Sequence, residues 1–185
     1  MTDDRTPTGL VRLPDLDPFI GYLPPAQLPY QVTMTDIYTM FVQDAPYRER
    51  RELLFDALKI YTSLIWTEIP YARIWVDGGF ATRKDWAPPE DVDVVVVADD
   101  VPLKVKAKLA SEGLLTLSAV SASIDKSNLP MIHKLRPFGG LVDAYFATSK
   151  TSALLYQYMT SVKGPDGEVI HGVRKGIAEV TRGIA

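Results

Sequence analysis

Cysteine is absent from this chain of 185 residues, and only two histidines occur. The lack of cysteine excludes disulfides, thiolate metal sites and a cysteine nucleophile, and it is compatible with any cellular compartment. No stretch approaches the roughly 20 consecutive apolar residues of a membrane-spanning helix, and no apolar segment follows a basic start. We therefore expect a cytoplasmic protein that has no membrane partner.

A strong excess of either charge is also missing. The formal net charge is −3, which gives no overall attraction to nucleic acid, so a polynucleotide would have to bind a local patch. With 46% apolar residues the chain can bury one core. We predict one α+β domain at residues 34–185 after an extended, proline-rich arm at residues 1–33.

The arm has no clear hydrophobic period. We expect its apolar residues Phe19, Ile20, Tyr22 and Leu23 to pack on the body of the domain. The alternative is a strap that binds a partner.

Apolar residues at three- and four-residue spacing predict a long helix from about Pro46 to Trp66. Its run Arg48–Glu52 has mixed sign, which is typical of a solvated face that pairs with itself. A short helix is predicted to begin at Thr33, with Asp36 completing its cap. The other predicted elements are helices at about 100–113, capped by Asp99 or Asp100, and at 151–162, a hairpin at 133–146 and a final strand pair at 168–184.

The stretch from Arg73 to Val97 joins two strand-like runs through a loop rich in glycine and proline. Asp91 and Asp93 open the second strand, so in extended backbone they share a face about 6 to 7 Å apart. Four valines from Val94 indicate a strand buried on both faces, and the two like charges at its start need compensation. A divalent cation would supply it. In the alternative, Asp91 belongs to a turn and Asp93 faces solvent on an edge strand.

The first of these strands ends at Gly78 and Gly79. Because no Cβ intervenes, their backbone amides can approach an anion closely, which suits a phosphate held beside a metal. An ordinary turn is the alternative. Thr82, Arg83 and Lys84 follow as further candidates for phosphate contact, and the alternative for the two cations is a solvated loop.

A third acid, Asp143, lies inside the apolar run Leu141–Phe146. An uncompensated carboxylate there would be costly, which favours a cation or a proton beside it. The alternative is an Asp that faces solvent on a half-exposed strand. Lys134 and Arg136 would share one strand face near Asp143, where they could meet a substrate phosphate.

At these residues the chain resembles the nucleotidyltransferase superfamily that shares the palm of DNA polymerase beta. The matching segments are Val76-Asp77-Gly78-Gly79, Asp91-Val92-Asp93-Val94 and Leu141-Val142-Asp143-Ala144-Tyr145-Phe146. More loosely, the whole chain resembles a family of small bacterial and phage proteins of that superfamily with no assigned function. The shared features are the proline-rich start, one long helix, the loop with Thr82, Lys84 and Pro89, and the closing Lys175-Gly176-Ile177. The resemblance implies a mixed sheet with helices packed on it.

The resemblance also implies transfer of a nucleoside monophosphate from a nucleoside triphosphate, such as ATP, to an acceptor. Asp91, Asp93 and Asp143 would hold Mg²⁺ or Mn²⁺, and Gly78 and Gly79 would cradle the phosphates. Members of the superfamily modify tRNA ends, proteins or small molecules, and several are toxins with an antitoxin partner. The sequence does not indicate which acceptor this protein would use.

One position departs from the superfamily pattern. A serine usually follows the first glycine and touches a nucleotide phosphate, whereas this chain has Gly79. This departure keeps open a catalytically weak or inactive binding module of the same fold. A protein that only binds a partner through its proline-rich arm is a third possibility.

Overall fold

The computed structural model describes residues 13–118 and 134–183. Residues 1–12 of the predicted arm, His133 and the Lys134 side chain lie outside what is described. The strands are β1 Tyr30–Gln31, β2 Arg73–Asp77, β3 Val92–Val97, β4 Leu117–Ser118, β5 Lys134–Leu135, β6 Val142–Ala147, β7 Ser161–Lys163, β8 Val169–Arg174 and β9 Ala178–Thr181. The α-helices are α1 Met34–Tyr38, α2 Arg48–Glu68, α3 Leu103–Ser111, α4 Pro137–Gly140 and α5 Ser149–Met159. A π-helical turn, Thr39–Gln43, extends α1.

Five strands form a central sheet in the order β1-β9-β2-β3-β6. β2 pairs antiparallel with β3 and β9, whereas β3 pairs parallel with β6 and β1 pairs parallel with β9. The chain is therefore a single α+β domain with a mixed sheet, as predicted. The valine-rich strand β3 has a neighbour on each side, so the prediction of a central rather than an edge strand is confirmed.

The two faces of this sheet are covered differently. One face presents Val92, Val94 and Val96 of β3 to the main core, which includes the buried residues of α1 and α2. The other face carries a smaller cluster, Trp75, Val95, Val97, Ala147 and Ile177, on which Leu155, Tyr156 and Met159 of α5 pack. Because β-strand side chains alternate, the acids at Asp93 and Asp143 belong to this second face.

Helix ends follow the sequence in part. Thr33 and Asp36 form the predicted capping box of α1. No side chain caps α3, so the prediction of Asp99 or Asp100 as its cap is wrong. The Asp99 carboxylate instead accepts hydrogen bonds from the Ser149 backbone N–H at 2.9 Å and the Ser149 hydroxyl at 2.5 Å, at the start of α5. None of the described helices combines the length and the apolar character that crossing a membrane requires.

Two predicted hairpins are not formed. β6 does not pair back onto β5; it lies parallel to β3, and β5 pairs with β4. At the C-terminus, β8 pairs with β7 while β9 enters the central sheet beside β2. Local turn residues suggested both hairpins, but pairing with strands distant in the sequence determined the register.

The described part of the arm docks on the domain. Leu23 is buried, and β1 adds an edge strand to the sheet through the Tyr30 N–H, which donates to the Ile177 carbonyl at 2.8 Å. Ile20 and Tyr22 are partly buried. Phe19, in contrast, is 90% exposed, so the prediction that it packs on the body is wrong.

Candidate functional site

Three carboxylates form a row across the second face of the sheet. Asp77 of β2 lies directly opposite Asp93 of β3, which in turn lies directly opposite Asp143 of β6. Neighbouring strands lie about 4.7–4.9 Å apart, so the three residues occupy one short line. Asp91 precedes Asp93 by two positions and lines the same cavity. The structure thus brings together Asp91, Asp93 and Asp143, and it adds Asp77.

Asp77 directly precedes the glycine pair in the sequence but is not among the predicted site residues. The sequence did contain an indication, because Asp77 follows the buried Trp75 by two positions and ends the strand. Because side chains alternate along a strand, Asp77 lies on the same face of the sheet as Trp75 and on the opposite face from Val76.

Asp93 is the acid whose ionisation the protein opposes most clearly. Its carboxylate is largely buried, and none of the described residues hydrogen-bonds it or forms an ion pair with it. Burial, followed by the negative charges of Asp91, Asp77 and Asp143, raises the pKa of Asp93 to about 7. A proton or a cation at this carboxylate would relieve that repulsion.

Asp91 and Asp143 share a cationic neighbour, Arg136. The Arg136 Nη1 donates to Asp91 Oδ2, and the Arg136 Nε lies 3.6 Å from Asp143 Oδ2. The Thr116 hydroxyl donates to Asp143 Oδ1 at 2.7 Å, and the Tyr145 hydroxyl donates to Asp143 Oδ2 at 3.1 Å. Arg136 was predicted to meet a substrate phosphate near Asp143; here its guanidinium bridges two of the acids.

Lys175 holds the acid at the other end of the row. Its ammonium group lies 2.6 Å from Asp77 Oδ1 and donates to the Gly78 carbonyl at 3.1 Å. Asp77 and Lys175 are both buried, with 3% and 4% exposure. Burial raises the pKa of Asp77 and Lys175 opposes that rise. Because the lysine contacts both the acid and the turn, it fixes the end of β2 against the site.

The turn after β2 depends on glycine at one position. Gly78 has φ +75°, and a Cβ there would lie 1.7 Å from Asp93 Oδ2. Any larger residue would therefore clash with the central acid. A Cβ on Gly79 would lie 3.3 Å from the Lys84 ammonium. The turn thus runs directly beside the carboxylates, as the phosphate hypothesis requires.

Thr82, Lys84 and Arg83 are placed differently from one another. Thr82 and Lys84 line the cavity, and the Thr82 hydroxyl donates to the Gly79 carbonyl at 2.9 Å. Burial and the nearby Arg51 lower the pKa of Lys84. Arg83 is not in the cavity lining; its guanidinium donates to the Asp44 carbonyl. The prediction that Arg83 contacts phosphate has no support from this geometry.

The start of α2 clamps the loop that carries these residues. Arg51 is fully buried, and its guanidinium donates to the Phe80 carbonyl at 2.8 Å. Arg50 donates to the carbonyls of Pro89 and Glu90 at the far end of the loop. The prediction of a solvated, self-paired face is therefore wrong for Arg50 and Arg51, although Arg48 and Glu52 do pair with each other at 2.9 Å.

The cavity above the acid row has a volume of about 660 Å³ and walls of contrasting chemistry. The acids and Arg136 form its charged floor, and the turn with Lys84 and Lys175 adds amides and cations. The remaining wall comes from α5 and the β7–β8 ribbon and is mostly apolar, with Ser161 and Lys163 as its polar residues. Such a cavity can hold a ligand with one polyanionic and one apolar end.

The carboxylate groups of the acid row are of the ligand type that a hard divalent cation prefers. Carboxylate oxygens are the ligands that Mg²⁺ prefers, and the Asp93 carboxylate lacks a partner in the described ranges. Within residues 13–118 and 134–183, however, no three acidic, histidine or cysteine side chains are arranged to hold one ion. Arg136 and Lys175 neutralise the acids in this arrangement, so a cation would require the Arg136 side chain to move.

The fold and the acid row define a single-domain α+β protein with a carboxylate-lined cavity beside a glycine turn. The chain belongs to a family of unknown function, DUF6932, whose model matches residues 14–181. No curated protein and no solved structure matches it.

Proposed function

We propose that this protein is a metal-dependent nucleotidyltransferase of the DNA polymerase beta-like superfamily. The observation that supports the proposal best is that Asp93 of β3 lies directly opposite Asp143 of β6, with Asp91 lining the same cavity and the Gly78 turn beside them. Three segments far apart in the sequence supply these parts. A resemblance confined to short motifs would not require them to meet.

Asp91, Asp93 and Asp143 would hold Mg²⁺ or Mn²⁺, and a bound ion would neutralise charge on the triphosphate and align the leaving pyrophosphate. The Thr116 and Tyr145 hydroxyls orient the Asp143 carboxylate. This orientation suits Asp143 to accept the proton of an attacking acceptor hydroxyl.

The turn supplies the phosphate side of the site. The Gly79 amide would face a phosphate, with the Lys84 ammonium next to it. The Gly78 N–H donates to the Asp77 carboxylate, so Gly78 would shape the turn beside the phosphate. Thr82 holds the turn closed through its bond to the Gly79 carbonyl. These groups can replace the serine hydroxyl that the superfamily usually provides at the position of Gly79.

The experiment is a transfer assay with nucleoside triphosphates labelled at the α-phosphate. The protein is incubated with each triphosphate, Mg²⁺ or Mn²⁺, and total RNA, tRNA, protein or small-molecule extract as acceptor. We expect label on one acceptor class and release of pyrophosphate, with at least a 100-fold loss in Asp93→Asn. The matched control is Asp100→Asn, which removes an acid beyond the opposite end of β3. Equal labelling by wild type and Asp93→Asn would contradict the proposal.

A second candidate function is a nucleotide-binding module of the same fold with little or no activity. Arg136 favours it, because a guanidinium that bridges Asp91 and Asp143 takes the place a cation would need. This candidate predicts triphosphate binding without labelled product from any acceptor. It also predicts that Arg136→Gln strengthens the binding of Mn²⁺, which electron paramagnetic resonance of the free ion would measure.

A further inference from the structure

We propose that the apolar wall of the cavity is the base subsite of the bound nucleotide, and that the Tyr158 ring stacks on the base. The inference rests on the proposed function and goes beyond it, because it assigns residues that no motif contains. It also predicts how the triphosphate is oriented. The phosphates lie at the Gly78 turn, and the base lies against α5 and the β7–β8 ribbon.

The wall is built by two adjoining elements. α5 contributes Leu155, Tyr158 and Met159. The ribbon contributes Val162 of β7 and Val169 of β8, with Ser161 and Lys163 of β7 as polar members of the same wall. Leu155 and Met159 also pack on the smaller cluster of the second face, which includes Trp75, and this packing fixes the helix in place. Tyr158 stands on this anchored helix and lines the cavity.

Tyr158 is unusually exposed for a large aromatic side chain, at 78% of its surface. Leu154, one helical turn earlier, is 73% exposed but is not in the cavity lining. The two residues therefore have similar exposure on the same helix, but of the two only the tyrosine lines the cavity that contains the acids. Exposed apolar surface beside a charged pocket indicates a binding site, because a bound ligand would cover that surface.

The chemistry of the cavity selects the occupant. Its charged part suits a polyphosphate with its cation, and its other part offers aliphatic groups and an aromatic ring but few charges. A single ligand that satisfies both parts must join a polyanion to a flat, weakly polar group. A nucleoside triphosphate has this composition, and base stacking on an aromatic side chain tolerates any of the four bases.

The test compares ligands with and without a base. Dissociation constants are measured by calorimetry, in the presence of Mg²⁺, for each nucleoside triphosphate and for inorganic tripolyphosphate. We expect wild type to bind its best triphosphate about ten-fold or more tighter than tripolyphosphate. Tyr158→Ala should lose about ten-fold in triphosphate affinity and leave tripolyphosphate affinity unchanged.

Two further variants serve as controls. Tyr158→Phe keeps the ring and should retain wild-type affinity, and Leu154→Ala removes equally exposed apolar surface outside the cavity and should change nothing. Thermal unfolding of each variant shows whether α5 remains folded. Both residues are exposed, so we expect shifts within about 2 °C.

Several results would overturn the base subsite. Unchanged triphosphate affinity in Tyr158→Ala, or equal loss in Leu154→Ala, would remove the role of the ring. Equal loss of tripolyphosphate and triphosphate affinity would place Tyr158 in phosphate binding or in folding. If Tyr158→Ala reduced only the binding of an acceptor RNA or protein, the wall would be an acceptor surface. If wild type bound neither ligand, the proposed function itself would fail.

Discussion

The two faces of β3 have different roles: one packs in the main core, and the other carries an acid of the candidate site. Val92, Val94 and Val96 point into the main core beneath α2, whereas Asp93 opens the other face. The second face is covered by α5, whose Leu155, Tyr156 and Met159 pack over Trp75, Val95 and Val97. The acids occupy the end of this face where the cavity lies. A site has thus been built by leaving part of one face without apolar cover.

Two acids on the second face show the same contrast on a smaller scale. Glu179 of β9 is 2% exposed, and it accepts a hydrogen bond from Trp75 Nε1 at 2.6 Å and pairs with Arg73 at 3.2 Å. Asp93 has no comparable partner in the described ranges. A buried acid that serves structure is satisfied within the protein, whereas Asp93 is left for a proton or a ligand.

The largest effect on the free energy of unfolding is expected when a carboxylate is placed on the core face of β3 and not on the face of the site. Val94→Asp puts a carboxylate into the main core among buried apolar side chains, so we expect a loss of about 5 kcal/mol in the free energy of unfolding. Asp93→Val removes a repelled charge and should preserve or increase stability. Urea unfolding followed by circular dichroism measures both. Similar losses in the two variants would show that the faces are not distinct.

The next largest effect on stability is expected from the buried ion pair of Asp77 and Lys175, at the end of the acid row. Lys175→Met leaves Asp77 without its partner at 2.6 Å, and we expect a loss of roughly 3 to 5 kcal/mol at pH 8. The cost should be smaller at pH 5, because burial already raises the pKa of Asp77 and the freed carboxyl can take up a proton. Chemical unfolding at the two pH values tests this.

A double variant serves as the control for that pair. Asp77→Asn combined with Lys175→Met removes both charges, so it should recover most of the stability lost in the single variant. If the double variant were as unstable as Lys175→Met, the lysine would act through its bond to the Gly78 carbonyl and not through the ion pair.

A smaller effect is expected from titration of Asp93. Its pKa is raised from 3.8 to about 7, so the folded protein binds a proton that the unfolded chain has already released. This contribution to stability is present in full below about pH 4 and is lost as the pH rises towards and through 7. Between pH 5 and pH 8 we expect it to fall by roughly 2 to 3 kcal/mol, because each pH unit between the two pKa values is worth about 1.36 kcal/mol.

Asp93→Asn isolates this contribution, because the amide does not titrate. The difference in unfolding free energy between the variant and wild type should grow in favour of the variant from pH 5 to pH 8 in the absence of divalent cations. A difference that did not change with pH would contradict the raised pKa of Asp93.

Local patterns predicted much of the fold and part of the site. The alternation of Asp93 with the valines, the apolar spacing of α2 and the cap at Thr33 depend on neighbouring residues, and the structure has all three. Asp91 was predicted to open the strand, but it lies just before β3. The resemblance implied that Asp143 joins the other acids, and the register of β6 against β3 puts it directly opposite Asp93. Whether these acids bind metal remains a prediction.

Long-range pairing explains what the sequence did not predict. Lys175 reaches a turn 97 residues earlier, and the charged run in α2 gave no sign that Arg51 would be buried against the Phe80 carbonyl. Arg136 was predicted to meet a phosphate because it was expected to share a strand face near Asp143; its partner Asp91 lies 45 residues earlier in the chain, just before β3, and local spacing gave no sign of that contact. Periodicity shows which face a residue occupies, but not which distant charge it meets.

In the proposed function, the acid-lined face of the sheet binds a divalent cation and a nucleoside triphosphate together. The most direct test of this joint binding is thermal unfolding with each nucleoside triphosphate, with and without Mg²⁺, for wild type and Asp91→Ala. We predict stabilisation of wild type only when both ligands are present, by about 2.7 kcal/mol at 100 times the dissociation constant, and none for the variant. Equal stabilisation of both proteins, or no stabilisation of wild type by any triphosphate, would contradict joint binding.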